Sequence, residues 1–376
     1  MVIQSNTTMK IVFRVDASLE MGTGHVMRCL TLADTLNNHG AKCYFICREH
    51  SGNLIRTIIQ RGYDVEVLPY ASFPQGDKSN KHPTKLSHAS WLGTTQKQDA
   101  DLCHSIIENL QPDWLIVDHY ALDICWERVL RPYCKKIMVI DDLADRNHNC
   151  DLLLDQTFGR SLDDYIPLVP ISCETLCGAE YALLRSEFTE WRNYSLKRRE
   201  TSLLKHLLIN LGGVDKDNIT TQILIALKQC SFSSDVKIIV VMGETAPFIQ
   251  EVTLQAKKMP WTTDVLVGVN NMAELMAKSD LAIGAAGSSS WERCCLGLPS
   301  IMVVLAENQN KIAKDLHSLG AAISIQQKDI GNKLPFILDQ LSTTQLQSMQ
   351  SKALQVTEGL GAQILLSHIK SGLNTC

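Results

Sequence analysis

Residues 10–38 read KIVFRVDASLEMGTGHVMRCLTLADTLNN, and this stretch sets the architecture of the chain. It opens with mostly apolar residues, typical of a buried strand, and continues into a turn that contains Gly22 and Gly24. From residue 25 to residue 37 the apolar side chains recur at helical spacing, and a second apolar strand follows at 42–47. A strand, a glycine-containing loop, a helix and another strand predict a parallel α/β sheet.

The same alternation begins again in the second half of the chain. A charged stretch at 192–201 precedes it and is expected to be a linker. Beyond it, five apolar strands alternate with helical segments, and residues 343–371 read as a helical tail. We therefore predict two α/β domains of similar size, residues 1–195 and residues 196–376.

His25 is the candidate catalytic residue of the first loop. In open parallel sheets, ligands bind beyond the carboxyl ends of the strands, where Gly22, Gly24 and Arg28 are expected. The positive end of the helix disfavours a charged imidazolium, so a neutral His25 would accept a proton from water. Asp16, at the end of the same strand, is a candidate for orienting His25 or the water. A plain tight turn and a histidine that caps its own helix also fit this pattern.

Polar side chains follow two later strands of the first half. The triplet DHY occupies residues 118–120 and the pair DD residues 141–142. Each emerges from an apolar strand toward the predicted ligand edge, although each also suits a structural turn. Residues 71–95 are polar and predict a long loop that is a candidate lid.

The strongest motif of the second half lies in residues 280–299, where a strand enters a Gly/Ser loop that opens a helix. The small residues Gly287, Ser288 and Ser289 would let backbone amides and hydroxyl groups reach a diphosphate. Glu292, one turn into the helix, suits bidentate acceptance from the two hydroxyl groups of a ribose. A glutamate that only complements the helix dipole is the alternative interpretation.

Two other segments of the second half are candidates for ligand contact. Gly212 and Gly213 occupy the position equivalent to the first glycine loop, and Asn308 and Gln309 follow a later strand. The last two would contact base or phosphate, unless they form a polar helix cap. The acidic pair at 215–217 resembles a divalent-metal motif, but its place between a Gly-Gly turn and a helix favours N-capping. We therefore predict no metal site.

Composition excludes several classes of protein. The chain has 376 residues, of which 45% are hydrophobic and 20% charged, as expected of a globular protein. A net charge of −4 without a basic block argues against a nucleic-acid partner. No apolar run is long enough to cross a membrane and no secretory signal begins the chain, so we expect a cytoplasmic protein without a membrane partner. The 13 cysteines lack disulfide-framework or zinc spacing and predict reduced thiols.

Together with IDDLADRNHNCDLLLDQ at 140–156 and CGAEYALLRSEF at 177–188, these motifs resemble a known family. The family is the UDP-2,4-diacetamido-2,4,6-trideoxy-β-L-altropyranose hydrolases of bacterial pseudaminic acid synthesis. The resemblance covers roughly residues 9–370. The GSSSWE block alone suits many GT-B glycosyltransferases, whereas the N-terminal block and the DHY triplet are specific to the hydrolase.

The resemblance implies a GT-B fold, in which two Rossmann-like domains face each other across a cleft. It also implies that the second domain holds UDP and the first faces the sugar. Hydrolysis would cleave the C–O bond at the anomeric carbon with inversion, using a histidine-activated water and neither metal nor cofactor. The expected partner is a small-molecule UDP-sugar, and no oligomeric state is predicted. By the same resemblance, the catalytic roles fall on His25 and Tyr120, and nucleotide binding falls on Gly212, Gly213, the Gly287–Ser290 loop, Glu292, Asn308 and Gln309.

Three other functions fit the same residues. A glycosyltransferase would pass the sugar to an acceptor instead of water, and UDP release without an acceptor would distinguish the two. A hydrolysing UDP-sugar 2-epimerase would release a sugar inverted at C2, which NMR would detect. A nucleotide-sugar-binding protein would leave His25 without a chemical role.

Overall fold

The computed structural model describes residues 8–70, 86–199 and 203–373. The chain divides into two compact units, the first formed by Met1–Leu183 with Gly361–Cys376 and the second by Leu184–Leu360. This division differs from the predicted boundary after residue 195. The final helix packs with the first unit, and the helix that spans the predicted boundary packs with the second.

Within these described ranges, thirteen strands and thirteen α-helices are numbered in chain order. The strands are β1 (Lys10–Val15), β2 (Lys42–Arg48), β3 (Asp64–Leu68), β4 (Trp114–Asp118), β5 (Lys136–Ile140), β6 (Leu152–Asp155), β7 (Glu174–Cys177), β8 (His206–Asn210), β9 (Lys237–Met242), β10 (Thr262–Val267), β11 (Leu281–Ala285), β12 (Ser300–Val304) and β13 (Ala322–Gln326). The helices are α1 (Gly24–Asn38), α2 (Ile55–Gln60), α3 (Gln96–Leu110), α4 (Ile124–Leu130), α5 (Ser186–Arg199), α6 (Ile219–Leu227), α7 (Ile249–Ala256), α8 (Met272–Ala277), α9 (Ser289–Cys295), α10 (Asn310–Leu319), α11 (Ile330–Gln340), α12 (Thr343–Ala353) and α13 (Gly361–Gly372).

The first unit is built on a seven-stranded parallel sheet in the order β3-β2-β1-β4-β5-β6-β7. Both faces of the sheet are covered, so its central strands are mostly apolar. Ile11 and Phe13 pack on the face covered by α1 and α13. Val12 and Leu115 pack on the opposite face, which α3 and α4 cover. Two apolar cores therefore enclose the sheet.

The second unit is built on a six-stranded parallel sheet in the order β10-β9-β8-β11-β12-β13. Its central strands β8, β11 and β12 are almost wholly buried. Apolar residues of α6 and α11 pack with these strands in one continuous core. Each sheet thus contains the Rossmann order, in which the strand order reverses beside the first strand.

The predicted alternation of strands and helices is confirmed, with two corrections. The predicted linker at 192–201 is wrong, because residues 186–199 form α5. The predicted helical tail is interrupted between α12 and α13. A Cβ atom on Gly361 would lie 2.3 Å from the backbone carbon of Tyr181, so α13 begins where only glycine fits. The sequence patterns also missed the strands β6, β7 and β13 and the helices α4 and α11.

The reversal of strand order identifies where each unit can hold a ligand. It falls between β1 and β4 in the first unit and between β8 and β11 in the second. Ligands of open α/β sheets bind at the carboxyl ends of the strands at this point. Among the described residues, no helix is both long and apolar enough to cross a membrane.

Candidate active site

His25 lies at the reversal point of the first sheet and is held by a carboxylate. It is the second residue of α1, and its Nδ1 is 2.6 Å from Oδ1 of Asp118, the last residue of β4. Burial alone would raise the pKa of Asp118, but attraction to Arg28 and His25 outweighs it and holds that pKa far below its usual range. The ionised carboxylate can only accept hydrogen bonds, so Nδ1 carries the proton. In the neutral ring, Nε2 is then the atom able to accept one.

Arg28 connects this pair to a second carboxylate. Its Nε and Nη2 donate to the two oxygens of Asp118 at 2.6 and 2.7 Å, and its Nη1 donates to Oδ2 of Asp142 at 2.6 Å. The same Asp142 oxygen accepts the hydroxyl of Tyr120 at 2.8 Å. The result is one hydrogen-bonded chain from the imidazole to the phenol. Charge-assisted bonds of this kind fix the orientation of every member.

Tyr120 places its ring against His25. The ring centroids are 4.6 Å apart and the rings are nearly perpendicular. Burial, followed by the nearby Asp142, raises the pKa of Tyr120 well above its usual value, so the hydroxyl remains a donor. Two further aromatic rings approach Tyr120, those of His88 at 5.4 Å and Trp91 at 5.8 Å between centroids.

His88 and Trp91 belong to the end of the predicted loop at 71–95. Residues 71–85 of that loop lie outside the described part of the chain, so the predicted lid remains untested. The described end contains the short 3-10 turn Ala89–Leu92, which brings both rings beside Tyr120. These two residues were not predicted from the sequence. The signal that could have found them was an aromatic residue within the predicted functional loop.

Asp16 does not contact His25, which corrects the prediction that it orients the base. Its carboxylate accepts the backbone N–H of Arg48 at 2.6 Å and pairs with Arg14 at 2.7 Å. Nε2 of His119 lies 3.3 Å from it. The reason is the alternation of side chains along a strand. Asp16 points to the α3 face, as Arg14 does, whereas α1 and His25 lie on the opposite face.

The Gly/Ser loop lies at the reversal point of the second sheet, between β11 and α9. The space beside the Cα atom of Gly287 is open. A Cβ atom built there would have Nε2 of Gln309 as its nearest neighbour, at 3.9 Å. Oε1 of Gln309 accepts the backbone N–H of Leu305 at 2.9 Å, which holds the amide beside the loop. Asn308 is exposed in the 3-10 turn Glu307–Gln309. Gly287, Ser288, Ser289 and Gln309 are therefore brought together.

The glycine pair of the second unit turns tightly after β8. Gly212 has φ +91°, which favours glycine, and the carbonyl of Gly213 packs against Gly243. The carboxylate of Asp215 accepts the backbone N–H groups of Ile219 and Thr220 at 2.9 and 3.0 Å. The predicted capping role is thereby confirmed for Asp215, whereas for Asp217 it stays a prediction.

Glu292 is half-buried in α9, one turn after the loop. Burial raises its pKa, while the nearby Arg185 and Arg293 oppose that rise. Contact with a ribose remains a prediction. Across the residues that the structure describes, no cluster of three or more His, Cys, Asp or Glu side chains is arranged to bind a metal.

Comparison with known proteins agrees with the predicted resemblance. Residues 208–363 match the glycosyltransferase family 28 C-terminal domain. The chain is 26% identical to the UDP-2,4-diacetamido-2,4,6-trideoxy-beta-L-altropyranose hydrolase of Campylobacter jejuni, over 83% of this chain and 97% of that protein. It is 28% identical to an uncharacterised protein of Methanocaldococcus jannaschii, over 80% of this chain but only 56% of the longer relative.

A solved structure supports the fold over the whole chain. MurG of Acinetobacter baumannii superposes with a TM-score of 0.68 at 17% identity, covering 96% of this chain and 99% of that one. At this identity the likeness concerns the fold alone. The chain is therefore a GT-B protein with two Rossmann-like domains, similar in sequence to the Campylobacter hydrolase over most of its length.

Proposed function

We propose that this chain is an enzyme that hydrolyses UDP-2,4-diacetamido-2,4,6-trideoxy-β-L-altropyranose to UDP and the free sugar, in pseudaminic acid synthesis. The comparisons support the processing of UDP-sugars by a GT-B enzyme. The diacetamido sugar and the use of water rest on the similarity to one hydrolase. The observation that carries the proposal is the contact between His25 and Asp118, which supports a role for His25 as an oriented base.

In the proposed reaction, Nε2 of His25 takes a proton from water as the water oxygen attacks the anomeric carbon. The C–O bond to UDP breaks on the opposite face, and the bonding electrons leave with the diphosphate. The product is therefore inverted at that carbon. Asp118 keeps Nδ1 protonated and stabilises the imidazolium that forms, as the carboxylate of a Ser-His-Asp triad does.

Tyr120 and Asp142 are proposed to hold the sugar or the water. Tyr120 remains protonated, and its hydroxyl is oriented by Asp142. The other oxygen of Asp142, Oδ1, is buried without a hydrogen-bond partner among the described residues. A buried acceptor without a partner costs free energy, so a donor on the substrate is a natural partner.

The second unit is proposed to bind UDP. Gly212, Gly213 and the loop Gly287–Ser289 would present backbone amides to the diphosphate as its charge grows during bond cleavage. Glu292 would accept both ribose hydroxyl groups, and the segment with Asn308 and Gln309 would contact base or phosphate. The open Cα of Gly287 supports this assignment, because a ligand can approach the backbone there.

The deciding experiment incubates purified full-length protein with the UDP-diacetamido sugar, without acceptor or added metal. NMR would follow the free sugar and its initial anomer. We expect UDP and the inverted free sugar in equal amounts. Absence of turnover would contradict hydrolysis.

A glycosyltransferase is the second candidate, favoured by the family match of residues 208–363. It would release little UDP until an acceptor is supplied. The same assay therefore separates the two functions, since only the attacking oxygen differs between them.

A further inference from the structure

A buried arginine lies beneath the Gly/Ser loop of the second unit. Arg293, in α9, is only 2% exposed. Its Nη2 donates to the carbonyl of Ala285 at 2.8 Å and to Oγ of Ser290 at 3.0 Å, and its Nη1 donates to Oγ of Ser289 at 3.0 Å. The guanidinium thus supports the loop from its inner side.

The charge of this arginine is compensated only in part, by attraction to the nearby Glu292. Arg293 forms no ion pair with a carboxylate in the described ranges, and its Nε has no hydrogen-bond partner there. Burial lowers the pKa of Arg293 to about 10, so the side chain is still charged at neutral pH. Buried charges are normally paired, because removing them from water costs several kcal/mol. A cation that lies beneath the Gly/Ser loop without a direct ion-pair partner is suited to attract an anion on that loop.

The sheet is adapted to hold this guanidinium. A Cβ atom on Gly284, inside β11, would lie 2.6 Å from Nη1 of Arg293 and 2.9 Å from the carbonyl oxygen of Asn210. Glycine within a strand usually weakens it and marks a close approach of another group. Here the approaching group is the charged end of Arg293. The strand therefore retains a residue that lets the cation lie directly under the loop.

A second buried arginine of the same unit provides a contrast. Arg199, 3% exposed, donates to the carbonyls of Ser279, Met276 and Leu296 at 2.9, 2.6 and 2.7 Å. Ser279 lies just before β11, at the amino end of the strand, away from the ligand edge. All of the donor nitrogens of Arg199, including Nε, have acceptors. Arg199 likewise forms no ion pair with a described carboxylate, so the contrast lies elsewhere: Nε of Arg293 has no hydrogen-bond partner among the described residues, and its guanidinium lies beneath the Gly/Ser loop.

The hydroxyl groups on the loop indicate how Arg293 would act. Oγ of Ser289 accepts a hydrogen bond from Arg293, so its own hydrogen is left to donate outward. Oγ of Ser290 instead lies 3.7 Å from the sulfur of Met302, to which it donates. Of the two hydroxyl groups that accept from Arg293, that of Ser289 is therefore the one free to donate its hydrogen to an acceptor outside the loop.

We propose that Arg293 is a positioning residue for the diphosphate of a nucleoside diphosphate ligand, acting as a fixed cation beneath the loop and through the hydroxyl of Ser289. This inference rests on the proposed function, which assigns the diphosphate to the same loop. An anion on the outer side of the loop supplies an opposite charge where the described residues offer no direct ion-pair partner. Attraction across a few ångströms of protein is weakly screened, so its effect on binding is large.

The test compares UDP, which carries the diphosphate, with uridine, which does not. Binding to the full chain would be measured by calorimetry for UDP and by ligand-observed NMR for uridine. For Arg293→Gln we expect UDP affinity to fall roughly 10- to 50-fold, with uridine affinity changed less than about two-fold. Arg293→Lys, which keeps the charge, should recover most of the UDP affinity. Arg293→Met gives a second uncharged variant if R293Q does not fold.

Arg199→Gln is the matched control. It removes a buried arginine of the same unit and should lower Tm without changing the ratio of UDP to uridine affinity. If R293Q weakens both ligands equally, or neither, Arg293 is only structural and the inference is overturned. If the wild-type protein binds no UDP, the proposed nucleotide site itself fails, and the inference fails with it.

Discussion

The ligand edges of the two sheets differ although their strand orders match. In the first unit the edge carries buried and half-buried polar side chains that hydrogen-bond to one another, among them His25, Asp118, Arg28 and Asp142. In the second unit it carries glycines and serines above one cation, Arg293, that has no ion-pair partner among the described residues. The same scaffold therefore supports two kinds of chemistry. The hydrogen-bonded side chains at the edge of the first unit can orient a proton acceptor. The glycines, serines and cation at the edge of the second unit can receive an anion.

Physical requirements explain the contrast. A general base needs a fixed tautomer and ring orientation, and only hydrogen bonds from defined partners provide them. A diphosphate is large and charged, so it needs close backbone approach and donors without competing carboxylates. If the first edge serves only the base and the second only the diphosphate, substitutions at one edge should leave the function of the other unchanged.

The largest effect is expected for His25→Asn, which removes the proposed base. We expect kcat to fall roughly 10²- to 10⁴-fold while the Kd for UDP stays the same, because the nucleotide is assigned to the other unit. Steady-state kinetics and UDP calorimetry would measure the two quantities. His39→Asn, at the exposed end of the same helix, is the control and should behave as wild type. Near-normal turnover in H25N would refute the assignment.

Asp118→Asn should lower kcat by roughly 10²-fold or more, because an amide cannot serve both His25 and Arg28 as acceptor. Asp16→Asn is the informative comparison, since it removes an equally buried carboxylate that does not contact His25. Both variants should unfold at lower urea concentration, but the loss of kcat should be far smaller in D16N. Equal losses of kcat would show that the two carboxylates have no distinct roles.

The crowding of carboxylates at the first edge should produce a pH dependence of stability. Burial, with the nearby Asp142 adding to it, raises the pKa of Asp155 to about 6. A raised carboxyl pKa means that the folded chain holds the proton more tightly than the unfolded chain does. The contribution of Asp155 to the free energy of unfolding is complete below about pH 4, and it is lost as the pH rises through about 6.

Relative to Asp155→Asn, the wild-type protein should therefore lose unfolding free energy on the order of 2 kcal/mol between about pH 4 and about pH 7.5. Urea unfolding of both proteins at the two pH values would measure this difference. A wild-type protein that gains stability over D155N as the pH rises would contradict the predicted direction.

The smallest effect is expected at the second edge. Glu292→Gln should weaken UDP binding by about 10-fold, because an amide accepts ribose hydroxyl groups less strongly than a carboxylate. The loss should be smaller for 2′-deoxy-UDP, which lacks one of those hydroxyl groups. Glu251→Gln, on the exposed part of α7, provides the control. A loss of the same size for both nucleotides would exclude a ribose contact.

Local patterns located much of the first site. The predicted strand at 10–15 coincides with β1, and the predicted helix from residue 25 begins within one residue of α1. Arg28 and Tyr120 were identified and do lie beside His25. The partner of the base was misassigned because Asp118 lies 93 residues away in the chain. Its proximity follows from the pairing of β1 with β4, which residue spacing does not encode.

At the second site, the loop and Gln309 were identified, whereas Arg293 was not. In the sequence Arg293 looks like a charged surface residue of a helix, and nothing local marks it as buried. Gly284 in the preceding strand was the one hint of a close approach, and its meaning depends on where the guanidinium lies.

The sequence by itself predicted a strand, a glycine loop and a helix in each half of the chain. It also predicted which residues lie at the carboxyl ends of those strands. These properties depend on neighbouring residues, through periodicity and backbone freedom. Three further features required the folded chain: Asp118 rather than Asp16 meets His25, α13 joins the first unit, and Arg293 is buried beneath the loop. They depend on which distant segments pack together, because strand order and side-chain facing are set by long-range pairing.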